Sequence, residues 1–161
     1  MKVYVASPLG FALSTKLFMD KELMPAIIAA EAEPLNPWDA GSEVENMILD
    51  THTFDSLALR KISYSAVINR LGKANVDLIK QSSGLVAVLD GVDIDSGTAA
   101  EIGYATALGL WTVGLRTDFR RSGEDQTAEC NLQVEYFIRM NGGVIVHNLV
   151  EMQDELRKRI A

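Results

Sequence analysis

A chain of 161 residues with 48% hydrophobic and 23% charged residues has the length and composition of one globular domain that buries a core without staples. Its formal net charge of −7 and pI near 4.8 exclude a broad basic surface that neutralises a nucleic-acid backbone. Arg116, Arg120 and Arg121 form the one local basic cluster, too small to reverse that. A single cysteine, Cys130, excludes intramolecular disulfides and cysteine-rich zinc sites. The two histidines, His52 and His147, lie far apart with no partner pattern, and surface or strand-end positions suit them better than catalysis. The opening MKVYVASP turns polar too early for a secretory signal, and no apolar run approaches the ~20 residues that span a bilayer. The expectation is a cytoplasmic protein that binds neither membrane nor nucleic acid.

In chain order, KVYVA (2–6) reads as a buried first strand, and SPLGF (7–11) as the turn at its end. A helical pattern starts at Ser14, with Leu17, Phe18, Leu23, Ile27 and Ile28 on recurring faces, and Pro25 should kink or split it. EPLNPW (33–38) suits a brief second strand. Residues 39–56 read only as loop or short helix, and 57–81 as helix with a possible break at Gly72. GLVAVLD (84–90) is the continuous apolar run of a central parallel strand. Helix 98–108, strand 111–116, helix 131–140, strand 143–147 and a charged amphipathic helix 151–160 complete the chain. No linker, repeat or low-complexity segment interrupts it, so residues 1–161 are expected to form a single domain. Alternating strands and helices predict an α/β, flavodoxin-like three-layer sandwich with a five-stranded parallel sheet, order 2-1-3-4-5. Ligands of such a fold bind beyond the carboxyl ends of strands 1 and 3. Those ends are SPLGF and LDGVDIDSG.

The second of these carries Asp90, Asp93 and Asp95 and runs into a small-residue helix bearing Glu101. Phosphate suits a glycine-containing helix start. However, neither GxGxxG nor GxxxxGK[ST] is present, and three aspartates repel an anion. Calcium fails as well: Asp90 and Glu101 stand at EF-hand positions 1 and 12, but Val92 and Ile94 occupy positions 3 and 5, and Asp95 replaces the turn glycine. Nucleophilic serine or cysteine chemistry lacks a placed histidine. Carboxylate chemistry remains, in which a glutamate attacks an anomeric carbon. Beside it stands a plain alternative. Thr98 and Glu101 have capping-box spacing, and Asp95 or Ser96 could satisfy the free amides of the helix start.

Five segments, VYVASPLGF (3–11), ANVDLIKQSSGLVAVLDG (74–91), DSGTAAEIGYA (95–105), GLRTDFRR (114–121) and NLQVEYFI (131–138), resemble nucleoside 2-deoxyribosyltransferases. The resemblance implies base exchange on 2′-deoxyribonucleosides, as in nucleoside salvage, through a covalent deoxyribosyl-glutamate intermediate. Its substrates would be a deoxyribonucleoside and a free nucleobase, and no cofactor or metal is expected. By position, Glu101 is the implied nucleophile and Asp95 the partner of the sugar hydroxyls and the departing base. Phe11 flanks the base, Gly97 leaves room for the sugar, and Gly10 and Asn75 belong to the implied substrate-binding set. Asn131 would reach a neighbouring subunit's site, which implies a homodimer or larger homo-oligomer with shared sites. Asn75 stands where the family often has an aspartate; it cannot titrate, which moves proton handling toward Asp95. Two other readings stay open: hydrolysis of 2′-deoxynucleosides or their 5′-monophosphates through the same glutamate, and a non-enzymatic nucleotide-sensing module.

Overall fold

Five apolar runs become strands: β1 (Lys2–Ala6), β2 (Glu33–Leu35), β3 (Gly84–Val88), β4 (Trp111–Leu115) and β5 (Val144–Val146). They hydrogen-bond into one parallel sheet in the order β2-β1-β3-β4-β5, as the alternating pattern predicts. The register sets Val5 beside Val86 and Val86 beside Val113, so β-branched residues line up across the central strands. The computed structural model describes residues 1–40 and 42–160. It contains two compact units, Met1–Asn36 with Ile79–Ala161, and Pro37–Leu78.

In the first unit, side chains alternate between the two faces of the sheet, because successive residues of a strand point opposite ways. Val3, Val5, Val86, Val88, Val113, Leu115 and Val146 form one face and pack with Leu23 and Ile27 of the N-terminal helices and Met152 and Leu156 of α7 (Leu149–Ile160). The other face carries Tyr4, Leu85, Ala87 and Leu89, all buried, beneath α5 (Ser96–Ala107) and α6 (Leu132–Met140). Gly114 lies on this side, where a Cβ would meet Leu89 and Ile138.

Pro25 does divide the first helix. An α-helical turn, α1 (Leu13–Phe18), passes into a π-helical segment (Met19–Leu23) and then α2 (Met24–Ala29). Met24 N–H donates to Met19 O, five residues back, and the wider turn accommodates a proline that has no N–H of its own. β2 is half the expected length, because Pro37 opens a 3-10 turn (Pro37–Ala40). Helix α5 begins two residues earlier than its periodicity suggests and stops at Gly109, whose φ of +80° is open to glycine at little cost.

The second unit consists of that 3-10 turn, α3 (Ser42–Thr51) and most of α4 (Leu57–Gln81). Gly72 does not break α4. It is exposed, and a Cβ built there meets nothing within 4 Å. Gly72→Ala is therefore expected to stabilise the protein by about 1 kcal/mol. A thermal melt should show a Tm rise of roughly 2–4 °C. Among the described residues, no helix is long and apolar enough to cross a membrane.

Candidate active site

The helix that follows β3 is capped by Asp95. Its carboxylate Oδ2 accepts the Thr98 N–H at 2.9 Å and the Thr98 hydroxyl at 3.4 Å. The capping box expected from Thr98 and Glu101 therefore does not form. Thr98 is the third residue inside the helix, and the free amide is satisfied from Asp95 before Glu101 is reached. At the start of α7 Asn148 is the cap: its Oδ1 accepts the Glu151 N–H and its Nδ2 donates to Glu151 Oε1. The Glu151 carboxylate also accepts the His147 N–H; that bond and the Asn148 bond hold its pKa below the usual carboxylate value. Gly97 is small for a local reason: a Cβ there would stand 3.0 Å from Asp95 Oδ2 and press on the cap.

Glu101 lies in the second turn of α5, beyond the first-turn amides, so the helix dipole does little for it. It is half-buried, and its Oε1 accepts the Tyr4 hydroxyl at 2.6 Å. Tyr4 is fully buried in β1. Burial, then the Glu101 charge and the hydrogen bond to it, push the phenol far above its ordinary 10.0. Tyr4 thus remains a donor throughout the neutral range, holding one carboxylate oxygen in place. Sequence reading missed this residue. The available signal was a lone tyrosine among valines in a fully buried strand, where the hydroxyl must find a partner.

The sign of the Tyr4 contribution to stability follows from its raised pKa. Above pH 10.0 the unfolded phenol loses its proton while the folded one keeps it. Stability then falls with rising pH, by up to about 1.4 kcal/mol per pH unit from this proton. Tyr4→Phe is expected to remove that component of the slope, read from urea midpoints between about pH 9 and pH 11.

Two polar clasps shape the loop between β3 and α5. Asp90 accepts the backbone N–H groups of Thr117 and Asp118 at 2.5 and 2.8 Å, and the Thr117 hydroxyl at 2.6 Å. In return, Arg116 donates to Leu89 O and Gly91 O. Asp93 accepts the N–H of Ile94 beside it. Asp90 and Asp93 therefore serve the loop's shape.

The remaining implied residues divide by position. Gly10 and Phe11 belong to a 3-10 turn (Leu9–Phe11) directly after β1, with Phe11 75% exposed. They share the carboxyl edge of the sheet with Asp95, since β1 and β3 are parallel neighbours. Asn131 caps α6: its Oδ1 accepts from Gln133 and Val134, and its Nδ2 donates to Glu124 Oε1 at 2.8 Å. Asn75 lies on α4, within the second unit. Cys130 offers no rival nucleophile. It is fully buried, and burial, reinforced by the Glu135 charge, pushes its thiol up to about 11.

The sheet order β2-β1-β3-β4-β5, with Asp95 and Glu101 beyond the end of β3, defines a flavodoxin-like α/β protein with two carboxylates at its switch point. The family model for nucleoside 2-deoxyribosyltransferase matches residues 3–137, and the chain belongs to that family, whose members are glycosyltransferases or glycosidases acting on nucleosides. No curated protein matches the chain in sequence. Among solved structures, a conserved protein from Enterococcus faecalis V583 is 25% identical with a TM-score of 0.71, covering 99% of this chain and 98% of that one. A 2-desoxiribosyltransferase from Leishmania mexicana is 19% identical, TM-score 0.64, with 99% of each chain covered. A CMP N-glycosidase from Clostridium botulinum is 20% identical, TM-score 0.54, covering 97% and 98%. The last two likenesses are likenesses of fold.

Proposed function

We propose that the protein is a nucleoside 2-deoxyribosyltransferase with Glu101 as its nucleophile. The observation that carries this reading is that Glu101 is not spent on the helix cap, which Asp95 supplies, and is instead held by a buried tyrosine at the open edge of the sheet. With Oε1 held by Tyr4, the Glu101 carboxylate attacks C1′ of the deoxyribose. The C1′–O bond forms as the C1′–N bond breaks, and its electron pair leaves on the base nitrogen, which takes up a proton. A second base then attacks C1′ through its own nitrogen, loses a proton and releases the carboxylate. The absence of a 2′-hydroxyl makes the positive charge at C1′ easier to develop.

Asp95 is the proposed partner for the sugar and the base proton. Its Oδ2 serves the cap. Gly97 and Ala100, both exposed, leave the helix surface beside Glu101 low. Gly10 and Phe11 are the proposed wall against the base, and Asn75 a proposed substrate contact that cannot move a proton.

A second copy of the chain is proposed to cover α6. Leu132, Tyr136 and Met140 recur every four residues along it and are 58%, 58% and 57% exposed, beginning beside Asn131. Light scattering is expected to give at least twice the 17.6 kDa chain mass.

The reaction is tested by incubating the protein with deoxyinosine or thymidine, with and without adenine, and separating the products. New deoxyadenosine that depends on adenine supports transfer. Free base released at the same rate without any acceptor would replace the transferase with a hydrolase.

A further inference from the structure

Beyond β4 the chain makes a turn whose burial is inverted. Arg116 is only 3% exposed, and its guanidinium donates to the carbonyls of Leu89, Gly91 and Arg120 and to Ser122 Oγ. The Asp118 side chain is 12% exposed. Phe119, next to it, is 94% exposed, the most exposed large apolar side chain among the described residues. Surface turns ordinarily give their charged side chains to water. Here a cation and a carboxylate are folded in, and an aromatic ring is put out.

The ring is also held. Asp90 accepts the Thr117 N–H, the Thr117 hydroxyl and the Asp118 N–H. Asp118 accepts the Arg120 N–H at 3.0 Å and is paired with the Arg120 guanidinium. The bond from Arg116 to Arg120 O, at 2.7 Å, closes the turn. The residues on both sides of Phe119 are therefore fixed, which lowers the entropy lost when its ring meets a ligand. A lone apolar side chain on a loose loop needs no explanation. One displayed on a turn that three polar side chains hold in shape does.

The turn stands beside the proposed site. Asp90, its anchor, is the second residue beyond β3 and lies five residues before Asp95. β3 lies between β1 and β4 in the sheet, and all three strands are parallel. Phe11, in the turn after β1, and Phe119 therefore leave the same edge, on either side of the strand that leads to Asp95. Two strand spacings make that about 10 Å at the strand ends. A flat ring stacked on both faces needs its neighbours about 7–8 Å apart.

We propose that Phe119 is a specificity-determining residue, its ring forming the second wall of the base site opposite Phe11, with both side chains leaning inward on a bound base. This rests on the reading of Glu101 and Asp95 as the nucleoside site and of Phe11 as a base wall. Stacking reads the face of a base rather than its hydrogen-bonding edge. The two fused rings of a purine cover more of Phe119 than the single ring of a pyrimidine, so the residue favours purine deoxyribonucleosides. Asp90 is the positioning residue that holds the ring in place.

The test is binding, measured by calorimetry on the Glu101→Gln protein so that nothing turns over, with deoxyadenosine and thymidine as the probes. Phe119→Ala, an exposed change whose folding a melt confirms, is expected to weaken deoxyadenosine binding about tenfold and thymidine binding about threefold. Phe119→Tyr is expected to restore both. Unchanged deoxyadenosine binding, or equal losses for the two nucleosides, overturns the proposal. Asp90→Ala is expected to weaken deoxyadenosine binding when Phe119 is present and to add nothing in the Phe119→Ala protein, because it acts through the ring. Additive losses would overturn the positioning role. A particle mass that falls in the Phe119→Ala protein would assign the ring to a second copy of the chain and overturn the base wall. Phe119-dependent binding without base exchange in the wild-type protein would support this proposal and count against the transfer reading alone. Base exchange with binding indifferent to Phe119 would overturn this proposal alone.

Discussion

Glu101→Gln is expected to lower base-exchange turnover by about 10⁴-fold or more while leaving the fold intact. The amide keeps the size of the side chain and an oxygen for the Tyr4 hydroxyl, which donates at 2.6 Å in the parent protein. It lacks the electron pair of a carboxylate that can form and later release a bond to C1′. The cap of α5 is Asp95, which the substitution leaves in place. A capping glutamate would behave in the opposite way, costing about 1 kcal/mol of stability and little turnover. Steady-state exchange assays and urea melts on the same preparation separate the two. Near-normal turnover in the variant would remove Glu101 from the mechanism. Mass spectrometry adds a direct check, since the wild-type protein mixed with deoxyinosine should carry a deoxyribosyl adduct on Glu101 and the variant none.

The largest expected loss of stability belongs to Gly143→Ala. A Cβ at this position would stand 2.2 Å from Thr112 O and 2.3 Å from Ile138 O. Both are backbone atoms, one in β4 and one in α6, so no side chain can swing aside. Either β5 moves off its neighbour or α6 lifts from the sheet, and the cost is about 3 kcal/mol or more. Urea unfolding should show it as a lower midpoint with the slope unchanged. Gly142→Ala is the control. Its φ of +72° strains an alanine, but nothing lies within 4 Å of the new methyl, so about 1–2 kcal/mol is expected. Equal losses at the two positions would show that packing around β5 is looser than these contacts require.

The fold was legible because its signals are local. Apolar β-branched runs of five residues, separated by stretches of helical period, fix strand identity, and parallel connections leave few orders for the sheet. The errors fell at element ends. β2 stops early at Pro37, and α5 starts early because Asp95 rather than Thr98 caps it. Both are choices between neighbouring residues with similar propensity, decided by which side chain has room to turn back.

The candidate site was legible in part for the same reason. Asp95, Gly97 and Glu101 lie on one continuous segment, so their proximity needs only a helix. The spacing left both capping and chemistry open for Glu101, and in the structure Asp95 supplies the cap. Tyr4 and Glu101 meet across 97 residues of chain, and Asp90 meets Thr117 across 27. Neither pairing leaves a periodic trace. The amino-acid pattern alone determines that this chain forms a five-stranded parallel α/β sheet with its carboxylates at the switch point. Only the assembled sheet decides that a buried phenol faces the glutamate and that a buried arginine faces neutral carbonyls, because strand pairing and helix docking bring together groups that the covalent chain keeps apart.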